Sequence, residues 1–163
     1  MTYFVVAQFE WNLNNGVLDP LDKISMVVDD TEPEYWDGLL KLAGFQEIEG
    51  QPRYFRDGES ALPALEKGRY DVILTDLELG EGKMDGIAFA QAARKVQLAK
   101  GKPAMIALFS YNGEKLKAAW VHGYHYPSSP GDLFFEQPDI INKSYFSPFR
   151  FRRKVECIYK NMK

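Results

Sequence analysis

The 163-residue chain is 45% hydrophobic and carries a formal net charge of −3 from 20 basic and 23 acidic side chains. That apolar content suffices for one packed core, and the acidic balance excludes the basic field that a stand-alone nucleic-acid binder or an anionic-lipid binder needs. A single cysteine, Cys157, forbids an internal disulfide, and with 2 histidines it cannot complete a four-ligand structural zinc site. The longest apolar runs, Tyr3–Ala7 and Ala104–Phe109, fall far short of the roughly 20 residues of a membrane helix, and no basic residue precedes the first as in a signal peptide. The expectation is a cytoplasmic domain without membrane insertion and without direct contact to nucleic acid.

Residues 1–22 read as an N-terminal extension of open role, with a strand candidate at Tyr3–Trp11 and a turn-forming cluster at Asn12–Gly16. The remaining segment, 23–163, reads as one domain in which short β-rich runs alternate with helical patterns. The first strand, Ile24–Val28, leads into Asp29 and Asp30. Thr31 and Glu34 then have capping-box spacing, with Pro33 in the first turn. Trp36, Leu39, Leu40 and Ala43 line one face of the helix that follows, and Gly44 stops it.

A second strand is expected at Arg53–Phe55, followed after Asp57 by a short helix with Leu62 and Leu65 on one side and Gly68 at its end. Asp71–Asp76 is the clearest buried strand, an aliphatic and β-branched run bounded by acids. A loop containing Gly80 and Gly82 leads to a helix over about 86–100, and Ala104–Phe109 is the fourth strand, ending at Ser110. A helix over about 114–122, a Pro/Gly/Ser-rich loop at 126–131, a fifth strand at Asp139–Lys143 and a last helix over about 147–161 complete the chain. The simplest assembly with right-handed crossovers is a flavodoxin-like, doubly wound α/β fold: a five-stranded parallel sheet of order 2-1-3-4-5 with helices on both faces.

In such a sheet, ligands collect outside the carboxyl ends of the strands, where the strand order reverses. Asp29 and Asp30 end strand one, Asp76 ends strand three, Ser110 ends strand four and Lys143 ends strand five. Crowded carboxylates repel unless a cation offsets them, and an oxygen-only set of this kind suits Mg²⁺, with Mn²⁺ as an alternative. An aspartate beside such an ion can accept a phosphoryl group as an acyl phosphate, with an amine and a hydroxyl holding the phosphoryl oxygens.

Asp29–Asp30, Asp76 at a strand end, Met84–Asp85–Gly86, Ser110 and Lys143, taken in order, resemble the receiver domain of the response regulators of two-component signal transduction. The resemblance implies a phosphorelay switch rather than an enzyme. Asp76 would be the phosphoacceptor, served by a histidine kinase or a histidine phosphotransfer protein. It implies further that Asp30, Asp76 and the backbone carbonyl of Glu78 hold the metal, that Asp29 orients it through water, and that Ser110 and Lys143 bind the phosphoryl group. The chain departs from the family's pattern in the long insertion between Asp76 and Asp85, which lacks a proline, in Ser144 after the lysine, and in Ile140 where an aromatic often rotates on activation. Output is therefore expected to run through rearrangement of the 123–138 loop.

Each residue has an ordinary alternative. Asp29–Asp30 can cap a helix, Asp76 can be a loop acid, Lys143 a snorkelling surface lysine and Ser110 a cap for the next helix. His122 and His125 are assigned no role. Cys157, between Val155 and Ile158, reads as a buried, inert thiol. Arg150, Arg152, Arg153 and Lys154 read as a solvated or partner-facing patch. Two other functions compete: a receiver-fold interaction module without phosphorylation, and an aspartyl-nucleophile phosphohydrolase. The second is disfavoured because Asp76–Leu77–Glu78 lacks the Asp-x-Asp arrangement of the haloacid-dehalogenase class.

Overall fold

The computed structural model describes residues 20–31, 35–102, 104–112, 114–115, 140–142 and 147–161, the last two segments with the side chains of 140–142, 158 and 161 left aside. The expected helix over 114–122 lies outside the described residues beyond Lys115, as do the 123–138 loop, His122, His125 and Lys143.

The sheet is parallel throughout. Its strands are β1 (Leu21–Val28), β2 (Phe45–Gln46), β3 (Tyr54–Phe55), β4 (Val72–Asp76), β5 (Met105–Ser110) and β6 (Ile140–Asn142). The order is β2-β1-β4-β5-β6, with β3 also on β1, so the flavodoxin-like winding expected from the alternation of elements is present. The edge differs from the single strand expected at Arg53–Phe55. It is split into two short pieces, β2 opposite the start of β1 (Leu21↔Phe45) and β3 opposite its end (Val28↔Phe55). The cause is Arg53, only 5% exposed. Its guanidinium donates to the carbonyls of Phe45 and Gln46 at 3.2 and 2.6 Å, so those carbonyls are satisfied by a side chain where a neighbouring strand would otherwise be needed.

Side chains alternate between two cores, as the period of a strand requires. Met26, Val28, Ile73, Ile106 and Leu108 pack with Ala61 and Leu65 of α2 (Gly58–Lys67) and with Phe89, Ala90 and Ala93 of α3 (Gly86–Lys100). Val27, Val72, Leu74, Met105, Ala107 and Phe109 face the other way. They meet Trp36, Leu40 and Ala43 of α1 (Tyr35–Leu42) and Phe151 and Val155 of α4 (Pro148–Asn161). Both faces of the central strands are thereby covered, each buried aliphatic side chain contributing roughly 1.5–3 kcal/mol.

Helix ends follow local chemistry. Asp57 accepts from the Ser60 amide at 2.8 Å at the start of α2, and Asp85 accepts from the Ala88 amide at 2.7 Å at the start of α3. Gly101 ends α3 in the left-handed conformation at φ 63°. On α4 the buried face is set by Phe151 and Val155, with Tyr159 half-buried behind them, and this corrects the reading of Cys157: its thiol is exposed. Two residues beyond Val155 is about 200° around the helix, on the solvent side. Arg152 departs from the surface patch to donate to the Ala43 carbonyl at 2.9 Å and pair with Glu156. No helix among the described residues is long and apolar enough to cross a membrane.

Candidate functional site

β1 and β4 run in register with Val28 opposite Thr75, so the residues that follow, Asp29 and Asp76, leave the sheet side by side. Alternation continues past the strand ends: Val27 and Leu74 point toward α1, and Asp29 and Asp76 come next on that side. Asp30 follows directly. One carboxylate oxygen from each of Asp29, Asp30 and Asp76 lies within 4.8 Å of the others. At that spacing each pair of anions repels by about 3–4 kcal/mol at an effective dielectric constant of roughly 20, and a divalent cation removes this cost. Three hard oxygen donors on two adjacent strand ends fit Mg²⁺ or Mn²⁺.

Asp29 is fully buried, and its carboxylate is held by donors. Oδ1 accepts from the amide and the hydroxyl of Thr31, both at 3.0 Å, and Oδ2 accepts from the indole nitrogen of Trp36 at 3.1 Å. The residue thus fulfils the ordinary turn-capping role and presents a fixed anion. Trp36 is itself clamped against Phe109, ring centroids 4.5 Å apart, and Phe109 is the β5 partner of Asp76.

Asp76 is 7% exposed and accepts from the Glu78 amide at 3.1 Å. Gly86 fixes the geometry behind it. Its amide donates to the Leu77 carbonyl at 3.0 Å, and a Cβ at position 86 would stand 1.9 Å from the Asp76 carbonyl oxygen. Only glycine lets the start of α3 rest on the backbone of the acid, which is the physical content of Met84–Asp85–Gly86.

The insertion between Asp76 and Asp85 is anchored rather than loose. Leu77 and Leu79 are buried, the Met84 amide donates to Glu59 at 2.9 Å, and Lys83 stands 3.7 Å from Asp57. Gly80, at φ 89°, brings the loop against Asp30, whose Oδ2 is 3.6 Å from the position of a Cβ there. An open cleft of about 580 Å³ runs between this loop and Lys115, lined by Asp30, Glu78, Glu81 and Asp85 among others.

Ser110, 5% exposed, accepts from the Asn112 amide at 3.0 Å, so its hydroxyl caps the turn after β5. It pairs with Asn142 of β6, the residue before Lys143, whose own position lies outside the described residues. Of the expected site residues, the structure gathers Asp29, Asp30 and Asp76 into one cluster. Glu78 is exposed beside them, its amide on Asp76 and its carboxylate on Lys115. Sequence reasoning missed Trp36 as a donor to Asp29, Gly86 as a packing requirement and Lys115 as a cleft residue. Trp36 read only as core, and Lys115 sits far along the chain from Glu78.

No protein family and no curated relative matches the sequence. Solved structures do. A Francisella response regulator receiver domain aligns over 87% of this chain and 100% of its own at 19% identity and a TM-score of 0.56. The receiver domain of a Pseudomonas aeruginosa sensor histidine kinase, with a magnesium ion coordinated in its active-site cleft, aligns over 86% and 99% at 18% identity and a TM-score of 0.59. A CheY-like receiver domain from Methylobacillus flagellatus aligns over 86% and 98% at 20% identity and a TM-score of 0.56. The chain has the fold of response-regulator receiver domains.

Proposed function

We propose that the chain is a phosphoacceptor receiver domain. It takes a phosphoryl group from a phosphohistidine of a histidine kinase or phosphotransfer protein onto Asp76 and acts as a cytoplasmic signalling switch, with the residues before β1 as an appended segment, Leu21 and Asp22 of the expected 1–22 extension being part of β1. The observation that carries this reading is the cluster of Asp29, Asp30 and Asp76 at adjoining strand ends, every pair of offered oxygens within 4.8 Å, with Ser110 ending the next strand.

Asp76 is the nucleophile on this reading, because it ends the central strand and its backbone is held by Gly86 and Leu77 on one side and β5 on the other. An Oδ of Asp76 bonds to phosphorus as the phosphorus–nitrogen bond breaks, the electron pair and a proton going to the donor imidazole. Asp30 and Asp76 would hold Mg²⁺ or Mn²⁺ together with the carbonyl of Glu78, and Asp29, fixed by Thr31 and Trp36, would orient the ion. When bound, the ion supplies positive charge to offset the phosphoryl oxygens. Ser110 would release the Asn112 amide and turn its hydroxyl to the phosphoryl group, and Lys143, next in sequence after β6, would supply an ammonium. The resulting difference between free and modified states is what a switch requires.

Beryllofluoride, a phosphoryl mimic, tests this reading. Fluorine NMR with Mg²⁺ is expected to show a bound resonance with the wild type and none with Asp76→Asn. A bound resonance that survives in Asp76→Asn would overturn it.

A further inference from the structure

On the reading of Asp76 as phosphoacceptor, we propose that Lys115 is the cation that admits the anionic phosphodonor to the cleft, exchanging its Glu78 partner for a phosphoryl oxygen. The cleft presents the carboxylates of Asp30, Glu78, Glu81 and Asp85 to whatever enters, and Lys115 is the sole cation among the described residues that line it. A phosphoryl group approaching that rim meets four carboxylates, the rest of the lining apart from Lys115 being the uncharged Leu77, Leu79, Gly80 and Ile87, and a cleft of one sign repels ligands of that sign.

Lys115 is placed to counter this. Its ammonium is paired with Glu78 across the mouth, joining the segment after β4 to the segment after β5. Both ends are tied to the site by hydrogen bonds. The Glu78 amide donates to the Asp76 carboxylate, the Lys115 amide donates to Asn112 Oδ1 at 3.2 Å, and the Asn112 amide donates to the Ser110 hydroxyl. The side chains of Lys115 and Glu78 are 57% and 54% exposed, so water screens the pair and little is lost when it opens. A phosphoryl group carrying up to two negative charges competes well against a single carboxylate for the ammonium. In the transfer itself an Oδ of Asp76 bonds to phosphorus while the bond from phosphorus to the bridging oxygen breaks, and the leaving carboxylate takes the electron pair.

The probe is acetyl phosphate with Mg²⁺, labelling at Asp76 being followed by intact mass over a range of donor concentrations. Lys115→Gln is expected to lower the second-order rate on the order of fivefold by raising the half-saturating concentration, with the limiting rate kept. Glu78→Gln is expected to raise that rate, and Lys115→Arg to retain it. Opposite signs are the discriminating result, since a merely structural ion pair is broken equally by Lys115→Gln and Glu78→Gln and both would then move the rate the same way. Raised ionic strength should compress the differences. An unchanged rate in Lys115→Gln, or a shift of the same sign in both single variants, would overturn the role of Lys115 while leaving Asp76 as acceptor. A wild type that takes no label at Asp76 would overturn both.

Discussion

Replacing Gly86 by alanine tests how tightly α3 is seated on the end of β4 at Asp76. The added Cβ would lie 1.9 Å from the Asp76 carbonyl oxygen and 2.8 Å from the Asp76 carbonyl carbon and the Leu77 Cα. All three neighbours are backbone, so no side chain can rotate away, and the start of α3 must lift from the end of β4. Overpacking of this kind costs about 1–3 kcal/mol, and a backbone clash belongs at the upper end. Alanine returns roughly 0.4–1 kcal/mol by restricting the unfolded chain. The net loss is about 2–2.6 kcal/mol, which for a chain of this length is a fall in Tm of about 4–10 °C. Thermal unfolding followed by far-UV circular dichroism reads this directly. A Gly86→Ala variant that melts at or above the wild-type temperature would refute the close seating of α3 on Asp76.

The acidic cluster should make the fold respond to metal: millimolar Mg²⁺ is expected to raise the wild-type Tm by binding only the native state, and Asp30→Ala to lose most of that rise. Equal responses in the two proteins would contradict a metal site there. Trp36→Phe keeps the ring against Phe109 but removes the donor to Asp29, at about 1–3 kcal/mol in urea denaturation. It should also abolish any Mg²⁺-dependent change in tryptophan emission, whereas a response persisting through Trp11 and Trp120 would locate the effect elsewhere. Acid should destabilise the domain through Asp57 and Asp37. Hydrogen bonds from Ser60, side chain and backbone, hold Asp57 below the ordinary carboxylate value of 3.8. Burial pushes Asp37 up, but hydrogen bonds from Lys41 and Tyr54 outweigh it and hold the group low. Depressed carboxylates contribute stability that is complete above the unfolded value and lost as pH falls through the folded one. Unfolding free energy should therefore drop below about pH 4, and less steeply in Asp57→Asn, where asparagine keeps the cap; an identical acid slope would exclude Asp57.

The parts of the fold legible in the sequence are those set by local chemistry. Val72–Thr75 is an unbroken aliphatic and β-branched run because both its faces are covered, and Asp76 marks where it leaves the sheet. Asp85 and Gly101 bracket α3 as cap and stop. Because strand ends converge on one edge, reading those ends in order also located Asp29, Asp30 and Asp76. What the sequence hid depends on contacts between distant residues. The split edge strand has no periodic signal, since β2 and β3 are each two residues long and owe their form to the buried Arg53 guanidinium. Glu78 and Lys115 meet only because β4 and β5 are neighbours. The apolar pattern around Cys157 misleads because Val155, two residues before it, is buried, whereas helical rotation carries the thiol to the opposite side. Gly86 carried a motif whose reason, the closeness of two backbones, no residue pattern contains.

The central claim is that Asp76 accepts a phosphoryl group. After incubation with acetyl phosphate and Mg²⁺, intact mass should show one added phosphoryl group. Borohydride reduction of the acyl phosphate, followed by peptide mapping, should place the modification at Asp76, with none in Asp76→Asn. A wild type that binds the metal yet gains no phosphoryl group, or an adduct that persists in Asp76→Asn, would contradict it.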